Sequence, residues 1–404
     1  MDKPLLNNLT IELIDCEQQL DDIDLDALVS TANVQHKSKY LQTLMNNLDN
    51  HFKGHFVVAS SNGEIVAWSY LFIDQKFTFH GVFEGFLSTL YRLFPLKVNT
   101  AFLSSPVVEY NMIHISEKYQ SQQGAIVDQM MSALLTQLRN DGVKMLILRD
   151  HLADYDSKVL SNDFKHLHFM PGTYVEFEGT HECGELCADG CAADCDCFED
   201  YLMTLEKKWR ANIRNKMNRR KDDLVLEVVP SKSLSLEEKA RCHELYTQTR
   251  DRQDLKHERL APSYFHECAV ELGDCCKMLV ARVDDKIIGF AQLLENEDDV
   301  VNVRMGMDYQ HNRDYNLYFH LLYENIRYCL CNKKKRLYTS QTSYRPKLEV
   351  GAKLLPLHTY FSFTNPFLQN TLGGLLASNC TCHKELIEAD RPTEILRKHS
   401  TCPH

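Results

Sequence analysis

The chain has 404 residues, 44% of them hydrophobic and 25% charged, which is the make-up of a folded globular protein and too long for one ordinary core. Its 16 glycines and 11 prolines exclude a collagenous or disordered chain. The formal net charge of -11 excludes general attraction to nucleic acid or anionic membrane, so any anion site must come from local cations.

The N-terminal run Met1-Asp2-Lys3-Pro4-Leu5-Leu6-Asn7-Asn8 lacks the apolar core of a signal peptide. No segment reaches the roughly 18 apolar residues that span a bilayer. A cytosolic protein without membrane insertion is the expectation. The 15 cysteines then read as thiols or metal ligands rather than as a disulfide framework.

In chain order, Phe56-Val57-Val58-Ala59 leads through Asn62-Gly63 to Ile65–Leu71, a hairpin signature. Apolar residues at Ile126, Met130, Leu134 and Leu138 predict a helix, which Gly142 ends. Met145–Leu148 follows as a strand, and Met170–Val175 closes the half. Further on, Met278–Ala281 leads through Asp284-Asp285 to Ile287–Leu293, aligning with the first hairpin without a gap. Leu317, Leu321, Ile326 and Leu330 then mark a helix, Arg336–Thr339 a strand, and Leu355–Phe361 a closing phrase like the first. Three elements repeating in one order predict a duplicated α/β domain. Hairpins supply antiparallel pairs and each β-helix-β crossover a parallel one, so each sheet should be mixed. The expected division is 1–178, an acidic cysteine-rich insert at 179–200, a second domain at 201–375, and a tail at 376–404.

Two segments carry a family resemblance. Tyr201-Leu202-x-x-Leu205-x-x-Lys208-Trp209-Arg210-x-Asn212-Ile213-Arg214-x-Lys216 resembles the basic helix opening the second domain of FemAB-like proteins. Tyr318-x-x-Leu321-x-Tyr323-x-x-Ile326, Lys347-x-x-x-Gly351 and Pro356 are similar to the helix and turn near their end. The chain therefore resembles the FemAB-like branch of the GNAT acyltransferases. The resemblance implies two tandem GNAT-like domains, each a mixed, mostly antiparallel sheet flanked by helices, with the first a degenerate copy. It also implies acyl transfer, with acyl-CoA as donor and a small amine or amino acid as acceptor. The alternatives are aminoacyl transfer from charged tRNA and a non-catalytic metal- or RNA-binding module. One departure is plain: GNAT proteins cradle pyrophosphate in a glycine-bearing loop at a helix start, whereas Gln310–Asn316 has no glycine and Ser121-Gln122-Gln123-Gly124-Ala125 is only a near match.

Eight Lys or Arg fall between Lys207 and Lys221. Leu202, Leu205, Trp209, Ile213 and Met217 recur three or four apart, so one face packs inward and the cations emerge elsewhere. Arg210 and Arg214 are candidate phosphate ligands, since guanidinium suits bidentate phosphate binding; Arg304, Arg313 and Gly351 join them as donor-site candidates. Acyl transfer needs a deprotonated amine, a polarised carbonyl and a protonated leaving group. Tyr344 is the candidate acid, Lys347 a phosphate or carboxylate holder, and Asp308 the amine base. The insert His181-x-Cys183-x3-Cys187-x3-Cys191-x3-Cys195-x-Cys197 has five cysteines with acidic neighbours and is a candidate zinc site. As a straight helix it would part Cys183 from Cys195 by about 18 Å, so it must coil to bind one ion. The tail repeats the theme with Cys380-x-Cys382-His383 and His399-x-x-Cys402-x-His404. Cys275, Cys276, Cys329 and Cys331 read as core thiols.

Overall fold

The structure, a computed structural model, describes residues 9–16, 23–29, 33–78, 97–105, 108–152, 160, 163–167, 170–177, 197–253 and 258–378. Among these, the first half supplies strands β1 (Thr10–Asp15), β2 (Phe52–Ser61), β3 (Glu64–Thr78), β4 (Lys97–Phe102), β5 (His114–Ile115), β6 (Met145–His151) and β7 (Lys165–Leu167). Its helices are α1 (Ser38–Asn46) and α2 (Gln123–Asn140). Then come β8 (Gly172–Glu176), α3 (Cys197–Thr204), α4 (Lys207–Met217), β9 (Val225–Pro230), α5 (Leu236–Asp251) and α6 (Tyr264–Leu272). β10 (Cys276–Val283), β11 (Lys286–Glu295) and β12 (Asp299–Met307) lead to α7 (Tyr309–Tyr315) and α8 (Leu317–Cys331). The chain ends through β13 (Arg336–Tyr338), α9 (Tyr344–Glu349), β14 (Lys353–Leu355), β15 (His358–Phe363) and α10 (Pro366–Ser378).

Both predicted hairpins form, for the same local reason. Asn62 and Gly63 sit at φ 53° and 78°, and Asp284 and Asp285 at 48° and 60°. Paired left-handed residues give the turn whose twist matches right-handed strands. The long helices bury their predicted stripes: Ile126, Met130, Leu134 and Leu138 in α2, and Leu317, Leu321, Ile326 and Leu330 in α8.

The strands make two mixed sheets, ordered β1-β2-β3-β4-β6-β15-β7 and β14-β8-β13-β12-β11-β10-β9, with β5 beside β3. β4–β6 and β12–β13 are the parallel pairs and the other pairs are antiparallel. The two sheets follow one plan. Their closing strands, however, are exchanged along the chain. β15, from the far end, pairs with β6 and β7 in the first sheet, and β8 pairs with β13 and β14 in the second. One compact unit accordingly runs to Pro171, apart from Thr31–Gln35, and resumes at Pro356, and the other holds Thr31–Gln35 and Gly172–Leu355. A linear cut at 178 therefore misplaces Gly172–Glu176, and one at 375 misplaces β15. Sequence periodicity marks a strand but not the sheet it joins.

Each unit has its own apolar core, α2 covering one sheet and α8 the other. The first unit also buries imidazoles. His36 meets His114 edge-on at 5.1 Å between centroids, His114 stacks on Trp68 at 4.6 Å, and His151 Nε2 bonds the Leu103 carbonyl at 2.8 Å. Burial, reinforced by neighbouring imidazoles, pushes His36 down to about 3 and His114 and His151 to about 4.

Candidate active site: a split in the second sheet

β12 is nine residues long, yet it pairs with β13 only through Asp299↔Arg336, Val300↔Leu337 and Val301↔Tyr338. Past that point the strands part. β12 continues to Met307, while the chain after Tyr338 parts from β12 and stays on β8, with the Thr339 amide donating to the Thr173 carbonyl at 2.8 Å. A bulge opposite Gln292 and Leu293 falls between Asn302 and Arg304, which bends β12 at the point of separation. The result is a wedge in which β12 runs free of β13 from Asn302 to Met307, with the Asn302 carbonyl taken by Ser340 Oγ and the Met307 amide donating to Thr249 Oγ1 at 3.1 Å.

The loop bounding the wedge is held under backbone strain. Ser340, Thr342 and Ser343 lie at φ 64°, 64° and 47°, unusual for residues other than glycine. Buried Lys347 clamps it, donating to the Ser340 and Gln341 carbonyls at 2.9 Å each. Thr173 donates to the Ser340 carbonyl as well, and Ser340 Oγ donates to the Asn302 carbonyl at 3.0 Å. Asn302 Oδ1 is buried without a hydrogen-bond partner. A buried acceptor left empty costs free energy, so this atom is poised for an incoming N–H.

On the α5–α6 side of the sheet lies a polar layer. The Tyr264 hydroxyl donates to Gln292 Oε1 at 3.1 Å, and the Arg304 guanidinium lies 5.9 Å from the Tyr264 ring centroid. Tyr246 is nearby, its phenol pushed up to about 12 by burial. Gly306 lets α5 approach the strand, since a Cβ there would come within 2.7 Å of backbone atoms of Leu245 and Tyr246.

The first sheet has the same layout, but its split is sealed. Beyond Phe102↔Ile147 the Leu103 amide still bonds the Ile147 carbonyl, and Asn111 stitches the two chains together further on. Its amide donates to Asp150 O at 2.8 Å, its Oδ1 accepts from Ser105 N, and its Nδ2 donates to Val108 O and Arg149 O. Every polar group of that side chain is used. The open wedge is a property of the second sheet.

The sequence candidates distribute unevenly around it. Tyr344 and Lys347 lie on the bounding loop and helix, both buried, and Arg304 projects from the open strand. Asp308 instead caps α7, accepting from Gln310 N at 3.0 Å, and pairs with Arg241 at 2.9 Å. Burial raises its carboxyl, but the Gln310 amide, His311 and Arg241 outweigh that and hold it below the ordinary carboxylate range. Arg210 caps the end of α3 through the Met203 and Leu205 carbonyls, Arg214 pairs with Glu199 at 2.7 Å, and Arg313 is exposed on α7. The basic segment is two helices broken at Leu205-Glu206 rather than one. Gly351, at φ 87°, packs against Tyr201 and Leu205, and the Tyr201 hydroxyl donates to the Val350 carbonyl.

Of the metal candidates, Cys183, Cys187, Cys191 and Cys195 lie outside the described residues, as does the Cys/His tail. Cys197 opens α3 within the apolar core of the second unit. Among the described residues no group of three or more His, Cys, Asp or Glu is placed to hold a metal. Cys276 and Cys329 are buried thiols and Cys275 is partly exposed, whereas Cys331 is disulfide-bonded. Sequence reasoning missed Asn302, Tyr264 and Gln292. The signal for Gln292 was available: an amide set among Ile287–Leu294, in an otherwise apolar strand.

Residues 191–389 match the FemAB-like family model, described as peptidoglycan biosynthesis and recognition. Over that stretch the chain is similar to FemAB-like proteins. Among solved structures, FemX is similar over 86% of this chain and 97% of its own, at 9% identity and TM-score 0.52. A conserved protein of unknown function from Bacteroides thetaiotaomicron matches 88% of this chain and 99% of its own, at 11% identity and TM-score 0.50. A tandem GNAT protein from the clavulanic acid biosynthesis pathway matches 88% and 99% at 12% identity and TM-score 0.46. No curated protein sequence matches significantly. The expected arrangement of two mixed, helix-flanked sheets is the observed one. Among the described residues no helix is long and apolar enough to cross a membrane.

Proposed function

We propose that the protein is an N-acyltransferase that moves an acyl group from a thioester donor, acyl-CoA first, to a small amine or amino acid, with the reacting carbonyl held in the β12–β13 wedge. The observation that carries the proposal is that β12 runs free of β13 from Asn302 to Met307, whereas Asn111 seals the corresponding split of the first sheet. An extended donor arm bearing amides can pair with such an edge as an added strand does. The neutral amine attacks the thioester carbon, a C–N bond forms and the C–S bond breaks. The proton lost by nitrogen ends on the departing sulfur. Tyr344 is the proposed acid for that sulfur, Asn302 Oδ1 the acceptor for an arm N–H, and Arg304 the partner for a carboxylate on the acceptor. Asp308 has no part in this scheme, because its carboxylate is already spent on Arg241 and the Gln310 amide.

A thermal-shift titration with CoA, acetyl-CoA and longer acyl-CoAs tests the reading, since ligand that binds only the folded state raises the melting temperature. A saturable rise that Arg304→Ala leaves intact and Asn302→Leu weakens is expected. No rise with any of them ends the thioester reading. Aminoacyl-tRNA then becomes the donor to test, which the FemAB-like match and the basic Lys207–Lys221 segment favour.

A further inference from the structure

We infer that the seal of the first sheet is an acid-operated latch. Proton uptake on His36, His114 and His151 parts the chain beyond β4 from the end of β6, while the rest of that unit stays folded. Opened in this way, the first sheet ends as the second does, in two parallel strands that separate. The inference is independent of the thioester reading above.

The first support is where the imidazoles stand. His151 is one half of the seal: it forms an isolated parallel bridge with Asn111, flanked by the Asn111 amide on the Asp150 carbonyl and the Leu152 amide on the Asn111 carbonyl at 3.0 Å. Its Nε2 meets the Leu103 carbonyl on the opposing chain. His151 acts electrostatically on His36 and on His114, His114 acts on His36, and His358 of β15 acts on His151, so each charge added repels the next. The Tyr110 backbone lies close enough to favour a charged His36, yet neither nitrogen of that buried ring completes a hydrogen bond. The stacked partner of His114, Trp68, likewise keeps a buried Nε1 without an acceptor. The charged side chains on the two sealed runs, 103–111 and 147–152, are half-buried Glu109 and the Arg149–Asp150 pair at 3.2 Å.

The second support is strain on both sides of the seal. Tyr110, just before Asn111, lies at φ 64°, and Asp150, just before His151, at φ 56°. Both are left-handed without being glycine, a conformation that persists only while its surroundings impose it. Parting the two chains lets both relax. The third support is linkage. The closed rings titrate at about 3 for His36 and about 4 for His114 and His151, against about 6.5 in water. Opening therefore takes up protons, and is favoured as pH falls below about 6.5. Each ring that reaches water raises the opening constant about tenfold between pH 7.5 and 5.5, and three raise it up to about a thousandfold.

The test is native-state amide exchange of the full chain at pH 7.5 and 5.5 in low, rising urea, with each rate divided by its intrinsic value. The Asn111 and Leu152 amides are expected to lose about tenfold or more of their protection between the two pH values, with little dependence on urea. They should also stay about tenfold or more below the protection of Ile126–Leu138 in α2. His114→Phe keeps a ring on Trp68 and should remove about tenfold of the pH effect without changing protection at pH 7.5. His36→Gln carries the same expectation and serves if the first variant does not fold. Protection of Asn111 and Leu152 that is indifferent to pH would overturn the inference, as would a full pH effect in both variants. One protection and one urea dependence shared by these amides and α2 would overturn it too, because the rings would then meet water only on global unfolding.

Discussion

Replacing Gly351 by alanine separates two physical reasons for a glycine in the Lys347-x-x-x-Gly351 segment. The residue sits at φ 87°, and a Cβ would lie 2.7 Å from Leu205 Cδ2 and 2.9 Å from the Tyr201 hydroxyl oxygen. The left-handed backbone costs an L-residue about 1–2 kcal/mol, and overpacking adds about 1–3 kcal/mol. Leu205 can yield, being the far end of a half-buried side chain. Tyr201 yields only by giving up its bond to the Val350 carbonyl. The expected loss is therefore roughly 2–5 kcal/mol in the second unit. The chain has two tryptophans, Trp68 in the first unit and Trp209 in the second, so urea denaturation in a Trp68→Phe background reads the second unit alone. In a Leu205→Ala background the steric part should shrink and the backbone part remain, at about 1 kcal/mol or more. A loss below about 0.5 kcal/mol, or complete relief by Leu205→Ala, would refute the account.

Acid should weaken the first unit. Histidines held at about 3 to 4 when folded bind protons near 6.5 when unfolded, so the unfolded chain takes up more protons between those values and stability falls with pH across that window. At pH 5 each imidazole costs about 2 kcal/mol relative to pH 7.5; a denaturation midpoint indifferent to pH between 7.5 and 5 would contradict this. Lys347→Met removes two charge-assisted bonds to the wedge loop and should cost about 3 kcal/mol. Its signature is faster amide exchange at residues 340–343, and unchanged protection there would show that the loop holds itself. Zinc is expected at about one ion per chain on Cys183, Cys187, Cys191 and Cys195, by elemental analysis after purification. Metal-free protein with the same melting temperature would dismiss that site.

The elements that sequence reasoning placed well are those whose cause is local. Asn62-Gly63 and Asp284-Asp285 carry their own backbone preference, and the α2 and α8 stripes repeat within one helix face. The repeat itself was legible because both hairpins share that logic. Long-range pairing was not, since nothing in Gly172–Glu176 or His358–Phe363 encodes which sheet it completes. The site was half legible for a related reason. Tyr344, Lys347 and Arg304, singled out by their place near strand ends, lie around the wedge. Yet Lys347 points its charge at carbonyls of its own loop, Arg210 turns back on the carbonyls that end α3, and Asp308 and Arg214 each meet a partner that only the fold brings near. The wedge has no sequence signature at all, because it is defined by hydrogen bonds that β12 and β13 do not make.

The exchanged strands order events during synthesis. β15 lies between β6 and β7, so β7 has no partner and β6 has one open edge until residues 358–363 emerge. Residues 172–355 intervene, 184 of them by 355 − 172 + 1. At about 5–20 residues per second they occupy the ribosome for roughly 10–40 s. Through that interval the nascent first sheet presents an unpaired edge able to recruit a wrong strand. The second sheet has the opposite history: β8 is made before any of the strands it will join. The sheet holding the wedge can therefore finish first, and the sheet that begins the chain finishes last.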